Sequence, residues 1–285
     1  MIQSMTGFGK ASMQLSTKKI TVEIKSLNSK GLDLSVRMPS AFREMELKLR
    51  NQIAQKLERG KVDFSLFIEV TGEETSSKIN IPIVKAYMKQ LKEVVDGDET
   101  ELLKMAVRMP DALKTERDEI DENEWKSIQE VIDQALENIH KFRITEGIAL
   151  EKEFLVRISN ILNLMNETVA LDGERIENVK KKLLTAINEL ETNVDQNRFE
   201  QELIYYLEKM DITEEKVRLE NHLNYFLETL AGSEANGRKL GFITQEIGRE
   251  INTMGSKSNH AKMQKLVVQM KDELEKIKEQ VLNIL

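Results

Sequence analysis

The chain has 285 residues, 32% of them charged and 40% apolar, with 3 prolines, 13 glycines, no cysteine and a net charge of −7. That length suits about two domains, and the composition excludes collagen-like, low-complexity and Gly/Pro-rich all-β chains. Without cysteine there are no disulfides, zinc–thiolate sites, iron–sulfur clusters or cysteine nucleophiles, and no run reaches the ~18 apolar residues of a membrane span.

The N-terminal stretch MIQSMTGFGKASMQ has neither a long apolar core nor a small-residue cleavage signal, so a cytoplasmic protein without a secretory leader is expected. Residues 2–14 predict a strand broken by Gly7 and Gly9. Ile20, Val22 and Ile24 in 18–27, and Leu32, Leu34 and Val36 in 32–38, recur at period two and predict two half-buried strands. Pro39-Ser40 ends them and starts a helix over 41–58, in which Phe42, Met45, Leu49, Ile53 and Leu57 recur at spacings of three and four. Arg59-Gly60 closes that helix, KVDFSLFIEV (61–70) predicts another strand, and Pro82 opens a helix to about Val95. The order is that of an α+β layer with helices on one sheet face.

The average charge hides an asymmetry: residues 1–62 carry +7, the remainder −14, and 96–137 alone −9. A local excess of that size can contact a polyanion even in an acidic chain, because screening over ~8–10 Å makes local charge dominate. It equally suits a solvated basic face, or docking on the acidic half of a second subunit.

From about residue 100 the strand signal disappears. A short helix over 101–108 precedes Pro110, and 124–170 is a long helical stretch with Trp125, Ile128, Ile132, Leu136, Ile139, Leu150, Phe154 and Ile158 in its apolar pattern. LDGER (171–175) reads as a turn and 176–193 as a returning helix, giving an antiparallel αα-hairpin. Further helices are expected over 198–210, 213–231, 235–254 and 261–283. A helical pair of this kind is either an oligomerisation device or part of an ordinary helical domain. The expected fold class is therefore α+β: a small N-terminal sheet with helices over 1–110, a long antiparallel helical pair over 111–200, and a helical, chemistry-bearing region over 201–285.

The densest polar–apolar ordering lies between Met210 and Lys257. In the helix near 213–230, Thr213 is a candidate N-cap, and Glu214 and Glu215 occupy the first turn, where the helix dipole favours anions. Leu219, Leu223, Phe226 and Leu230 form the buried stripe. At 100° per residue Glu215 and His222 fall on one flank of it, with Arg218 just outside. A carboxylate and an imidazole so placed can be a metal pair, an acid/base pair or a structural pair. In the next helix Glu246 and Glu250 stand at i, i+4 beside the stripe Leu240, Ile243, Ile247, Ile251 and Met254. Like charges there repel by a few tenths of a kcal/mol unless a cation intervenes. Arg238, Phe242, Gln245, Arg249 and Asn252 share the opposite face, a mixture able to bind phosphates and stack a base, or simply an exposed face with internal Glu–Arg pairs. GSKSNHAK (255–262) reads as a loop able to cradle a phosphate, or as an ordinary turn. No Walker, dinucleotide, H-E-x-x-H, G-x-S-x-G or kinase signature occurs. His140, Arg143 and Glu146 form a further helical triple, and Gly147 behind them implies a close backbone approach, a hinge or a chance interruption.

SMTGFG (4–9), EIKSLNSKGL (23–32), RGKV (59–62), RITEG (143–147), DITEEKVRLENHLNYF (211–226) and GRKLGFITQEIGREINTMGSK (237–257) resemble, in order and spacing, the YicC family of bacterial endoribonucleases (the YicC/YloC type). Gly241 and Gly248 depart from it where polar residues are usual. The resemblance implies a cytoplasmic, divalent-metal-dependent ribonuclease that cuts single-stranded or structured small RNAs internally, assembled as a homohexameric ring and not bound to membranes. Its motif falls on Glu214, Glu215, Arg218, His222, Arg238, Gln245, Glu246, Arg249, Glu250, Asn252, Ser256 and Lys257. Within that set Glu215, His222, Glu246 and Glu250 are the expected catalytic residues and ligands of Mg²⁺ or Mn²⁺. Arg218, Arg238, Gln245, Arg249, Asn252, Ser256 and Lys257, with Arg59 and Lys61 of the basic segment, are the expected RNA contacts. The alternative is a non-catalytic adaptor that delivers RNA to another nuclease.

Overall fold

The structure, a computed structural model, describes residues 2–71, 78–95, 97–114, 122–189, 196–232 and 237–285. The chain divides into two compact units, Phe8–His140 and Met1–Gly7 with Lys141–Leu285. No helix of the described residues is long and apolar enough to cross a membrane.

The first unit is built on the predicted period-two strands. β1 (Gly7–Gln14), β2 (Lys18–Leu27), β3 (Leu32–Arg37) and β4 (Gly60–Val70) form one sheet in the order β1-β2-β4-β3. β2 and β4 are antiparallel, with Ile20 opposite Ile68, Val22 opposite Leu66 and Ile24 opposite Phe64. β3 runs parallel to β4, a pairing that requires a crossover. A 3-10 turn (Ser40–Met45) and α1 (Glu46–Lys56) supply it. The returning chain enters β4 at Gly60, whose φ of 125° only glycine adopts without strain. Ile20, Val22, Ile24, Val62, Phe64 and Leu66 are buried on one sheet face. They pack with Leu49 and Ile53 of α1 and with Ile128, Ile132, Leu136 and Ile139 from the first half of α4 (Glu122–Ala170). This is the α+β layer that the periodicities predict. A small satellite core of Val84, Ala106 and Ala112 joins α2 (Ile81–Val94) and α3 (Glu99–Ala106) beside the two-residue strands β5 (Lys78–Ile79) and β6 (Leu113–Lys114). Strands of two residues have no period to read, and the sequence carries no signal for them.

The second unit is helical: the rest of α4, then α5 (Asp172–Glu189), α6 (Gln196–Met210), α7 (Thr213–Ala231), α8 (Gly237–Lys257) and α9 (Ala261–Val281). Two local expectations fail. LDGER is not a turn: Leu171 alone separates α4 from α5, and Asp172 and Glu174 already lie in the first helical turn, where their charges suit the dipole. Nor is 255–257 a loop, because Gly255, Ser256 and Lys257 form the last turn of α8. The expected helix residues 190–193 and 235–236 lie outside the described residues. At the half-buried Gly248 an added Cβ would meet Leu274 of α9 at 3.2 Å and the Lys278 Nζ at 3.7 Å.

The N-terminal segment is tied into this unit. Ile2 is 1% exposed, and Ser4 pairs with Ile284 in an isolated antiparallel bridge. The Ser4 amide donates to Arg143 O at 3.0 Å, and the buried Arg143 guanidinium donates to Met5 O at 3.2 Å. Gly147 lies under Ile2, whose carbonyl oxygen would stand 2.1 Å from an added Cβ. Of the three readings open for that glycine, close backbone approach is the one the fold uses; α4 runs through it without a break.

Candidate functional site

α7 and α8 form a helical hairpin whose buried stripe is the predicted one, Leu219, Leu223, Phe226 and Leu230 against Leu240, Ile243, Ile247, Ile251 and Met254. Its open end begins at Asp211. Thr213 is the first helical residue rather than the cap; Asp211 Oδ1 accepts from the Thr213 amide at 3.0 Å and from its hydroxyl at 2.7 Å. The Thr213 hydroxyl, then its amide, hold the Asp211 carboxyl below its usual range, with the charges of Lys257 and Arg175 adding to them.

Glu215, one turn further on, is 5% exposed. Its Oε1 accepts from Lys257 Nζ at 2.8 Å, and its Oε2 is buried with no partner among the described residues. Lys257 also donates to Asp211 O at 2.9 Å. Beneath it, Arg175 of α5, 2% exposed, donates to Lys257 O at 2.8 Å and lies 2.6 Å from Asp172. The ends of α5, α7 and α8 therefore meet in one ionic cluster. Arg175, Asp172 and Asp211 were not singled out from the sequence: two sit in a segment read as a turn, and a guanidinium gives no sign of its burial.

The Lys257–Glu215 contact sets the hairpin register. From Glu215 to His222 is seven residues, as from Lys257 back to Glu250, so in an antiparallel pair His222 and Glu250 share a level. That level lies roughly 10 Å along the axis from Glu215. His222 is half-buried and makes no hydrogen bond or ion pair among the described residues. Glu250 is 5% exposed and likewise makes none. Glu246, its i−4 neighbour, is half exposed and stands 3.9 Å from Arg249. The expected four-residue set is thus divided: Glu215 is neutralised by Lys257 at the hairpin end, and Glu246 faces solvent. Among the described residues no three His, Asp or Glu side chains stand together as a metal-holding group.

The expected RNA contacts divide similarly. Arg238, Gln245, Arg249 and Asn252 are exposed along α8, beside Phe242 at 60% exposure. Arg218 is exposed and pairs with Glu214. Ser256 donates to Thr253 O at 2.8 Å within its own helix. His260 accepts from the Met263 amide at the start of α9, and Ser258 is buried. The stretch from Gly255 therefore makes a helix end and a cap rather than a phosphate cradle. In the other unit Arg59 Nε donates to Ser29 O at 2.9 Å, bracing the turn before β4, while Lys61 is exposed on β4. His140 and Glu146 are exposed, whereas Arg143 is buried on the N-terminal segment.

Comparison with known proteins covers both units. The family described as "Endoribonuclease YicC-like, N-terminal region" matches residues 2–152, and that described as "Endoribonuclease YicC-like, C-terminal" matches 168–285. A Clostridioides difficile protein named "Probable endoribonuclease YicC" is 33% identical over 290 residues, covering 99% of each chain. A Haemophilus influenzae protein of the same name is 28% identical over 296 residues, covering 100% of each. With both regions matched in order and relatives aligned end to end, the chain belongs to the YicC-like endoribonuclease family.

Proposed function

We propose that this protein is a cytoplasmic endoribonuclease that cuts small or structured RNAs internally with the help of a divalent cation, Mg²⁺ or Mn²⁺. The observation that carries this reading is Glu250, a residue 5% exposed on α8 whose carboxylate makes no hydrogen bond or ion pair among the described residues, level with an unengaged His222. A carboxylate left without a counter-ion at the border of the core is free to accept from a water or to hold a cation. Glu250 is the group placed to orient and deprotonate an attacking water. His222 is the group able to deliver a proton to the leaving oxygen. Arg249, Arg238 and Arg218, with Gln245 and Asn252, present forks and amides to phosphate oxygens, and Lys257 holds Glu215 in place at the hairpin end. Mg²⁺ commonly takes one or two carboxylates and completes its shell with phosphate oxygens and water. Glu246 and Glu250, spaced i, i+4 on α8, are the two carboxylates that would hold it. The ion would supply charge neutralisation at the phosphate and a more acidic water.

Self-association, as a homohexamer, is part of this reading, and what supports the association is α6. None of its described residues is fully buried, and it presents Leu203, Ile204, Tyr205, Tyr206 and Leu207 in the single chain.

The test incubates purified protein with an end-labelled hairpin RNA, with and without EDTA, beside Glu250→Gln and His222→Gln. Internal cuts bearing 5′-phosphate or 3′-phosphate ends, abolished by EDTA and reduced at least ~100-fold in both folded variants, are expected. Variants that cut like wild type would refute the site. Cyclic 2′,3′-phosphate ends would replace the hydrolytic route with attack by the ribose hydroxyl. RNA bound but never cut by wild type would leave an adaptor.

A further inference from the structure

A cleft in the basic segment of residues 1–62 has no part in the reading above. Val36, Arg37, Met38, Ser40, Arg43 and Glu46 enclose about 370 Å³ where β3 runs through Pro39 into the 3-10 turn. The local sequence explains its form. β3 is an edge strand of the sheet, and Pro39, with no N–H to donate, ends it. Phe42 then plugs the turn into the core, 5% exposed and stacked on Trp125 at 6.1 Å, which leaves Arg43 on the outer side. Leu32, Leu34 and Val36 lie half-buried at period two, so Arg37 falls out of phase with them and is exposed.

The charge balance singles this cleft out. Glu46 is already engaged: Arg50 Nε and Nη2 each lie 2.8 Å from its Oε1, and Arg50 Nη1 donates to Leu34 O at 2.8 Å on the strand edge. That pair is neutral within itself. Arg37 and Arg43 make no hydrogen bond or ion pair among the described residues. Two guanidiniums thus share one concavity with the Ser40 hydroxyl and no acid left to answer them, in a chain holding 49 acidic residues. Guanidinium forks match phosphate oxygens two at a time. Val36 and Met38 supply an apolar wall of the kind a ribose or base lies against. Arg59, the expected RNA contact of this unit, is meanwhile committed to Ser29.

We propose that this cleft binds phosphate groups of an RNA strand through Arg37, Arg43 and Ser40. The identity of the polyanion rests on the endoribonuclease reading; the anion site itself rests on the unanswered guanidiniums. An internal backbone phosphate and the phosphate of a free nucleotide present the same chemistry, and the test separates them.

The full-length protein, in EDTA so that nothing is cut, is titrated into a fluorescent single-stranded 12-mer RNA at several salt concentrations between 50 and 200 mM. Each phosphate contact to a single strand contributes about 0.7 to the slope of log affinity against log salt. The double variant Arg37→Gln/Arg43→Gln is expected to lose about 1.4 from that slope and roughly tenfold in affinity. Arg37→Lys/Arg43→Lys keeps both charges and is expected to keep most of the slope, which guards against a folding artefact. Lys85→Gln/Lys89→Gln, two exposed lysines of α2 outside the cleft, is expected to keep it as well. Displacement of RNA by uridine monophosphate, seen in wild type and lost in the double variant, assigns the cleft to a terminal nucleotide. Loss of slope without such displacement assigns it to the internal backbone. An unchanged slope in the double variant, or an equal loss in the α2 control, overturns the proposal even if wild type cuts RNA in Mg²⁺. A wild type that binds through the cleft and never cuts leaves the site standing and removes the nuclease reading.

Discussion

Replacing Lys257 by methionine removes the one ammonium that, among the described residues, meets the Glu215 carboxylate. The two groups are 2.8 Å apart with side-chain exposures of 27% and 6%, so water compensates little on the glutamate side. Glu215 Oε2 already lacks a partner. Without Lys257 both oxygens would be stranded in the protein, and breaking a buried pair from one side costs about 3–5 kcal/mol. Glu215→Met leaves Lys257 with the Asp211 carbonyl and partial exposure, so about 1–2 kcal/mol is expected. The double variant Glu215→Met/Lys257→Met strands no charge, and apolar replacement of a buried pair is often close to neutral. Urea denaturation of wild type, both singles and the double closes the cycle. With a slope of about 2–3 kcal/mol/M, the Lys257 variant should melt about 1–2.5 M earlier. The double variant should lie close to wild type, a coupling of about 2 kcal/mol or more. Single effects that simply add, within about 0.5 kcal/mol, would mean the pair does not hold the hairpin end. Lys257 would then be free for the phosphate-binding role that the family motif implies.

Gly147→Ala should be destabilising, because its methyl carbon would stand 2.1 Å from Ile2 O and backbone cannot yield as a side chain does. Overpacking of this kind costs about 1–3 kcal/mol; a thermal melt checks it, and proteolysis of the N-terminal segment should accelerate. Glu273 gives the acid limb of stability. Burial by itself would raise its pKa, but hydrogen bonds from Lys276, Asn160 and Arg157 outweigh burial and hold it at about 2 against an ordinary 4.5. A folded pKa below the unfolded one contributes stability above about pH 4.5, lost as pH falls toward 2. Glu273 is 13% exposed at its side chain but its partner Lys276 is 45% exposed, so solvent screens part of the shift and about 1–2 kcal/mol is expected. Urea midpoints between pH 6 and pH 2 should therefore fall less steeply in Glu273→Gln than in wild type; parallel curves would contradict the assignment.

The elements themselves were legible. Period two marked β2 and β3, and helical spacing marked α1 and the buried stripes of α7 and α8, because each pattern is local and needs no knowledge of what lies opposite. The family resemblance, carried by polar strings along the whole chain, agrees with the matches to both regions. Where the reading failed, the local signal was ambiguous. Asp-Gly favours a turn, yet Asp172 and Gly173 lie in α5, whose first turn accommodates the charges of Asp172 and Glu174 and whose Arg175 is fastened to α8.

The candidate site divides along the same line. Helical spacing put Glu215 and His222 beside the buried stripe of α7, and Glu246 and Glu250 beside that of α8, since 100° per residue fixes direction around one axis. It could not say that Glu215 meets Lys257, that Glu250 is covered while Glu246 is not, or that Arg59 holds a turn while Arg37 and Arg43 remain unanswered. Those outcomes depend on how deeply each helix is set and on its slide against its neighbours. Ion pairs form or fail over 1–2 Å, and non-local packing alone decides distances of that size.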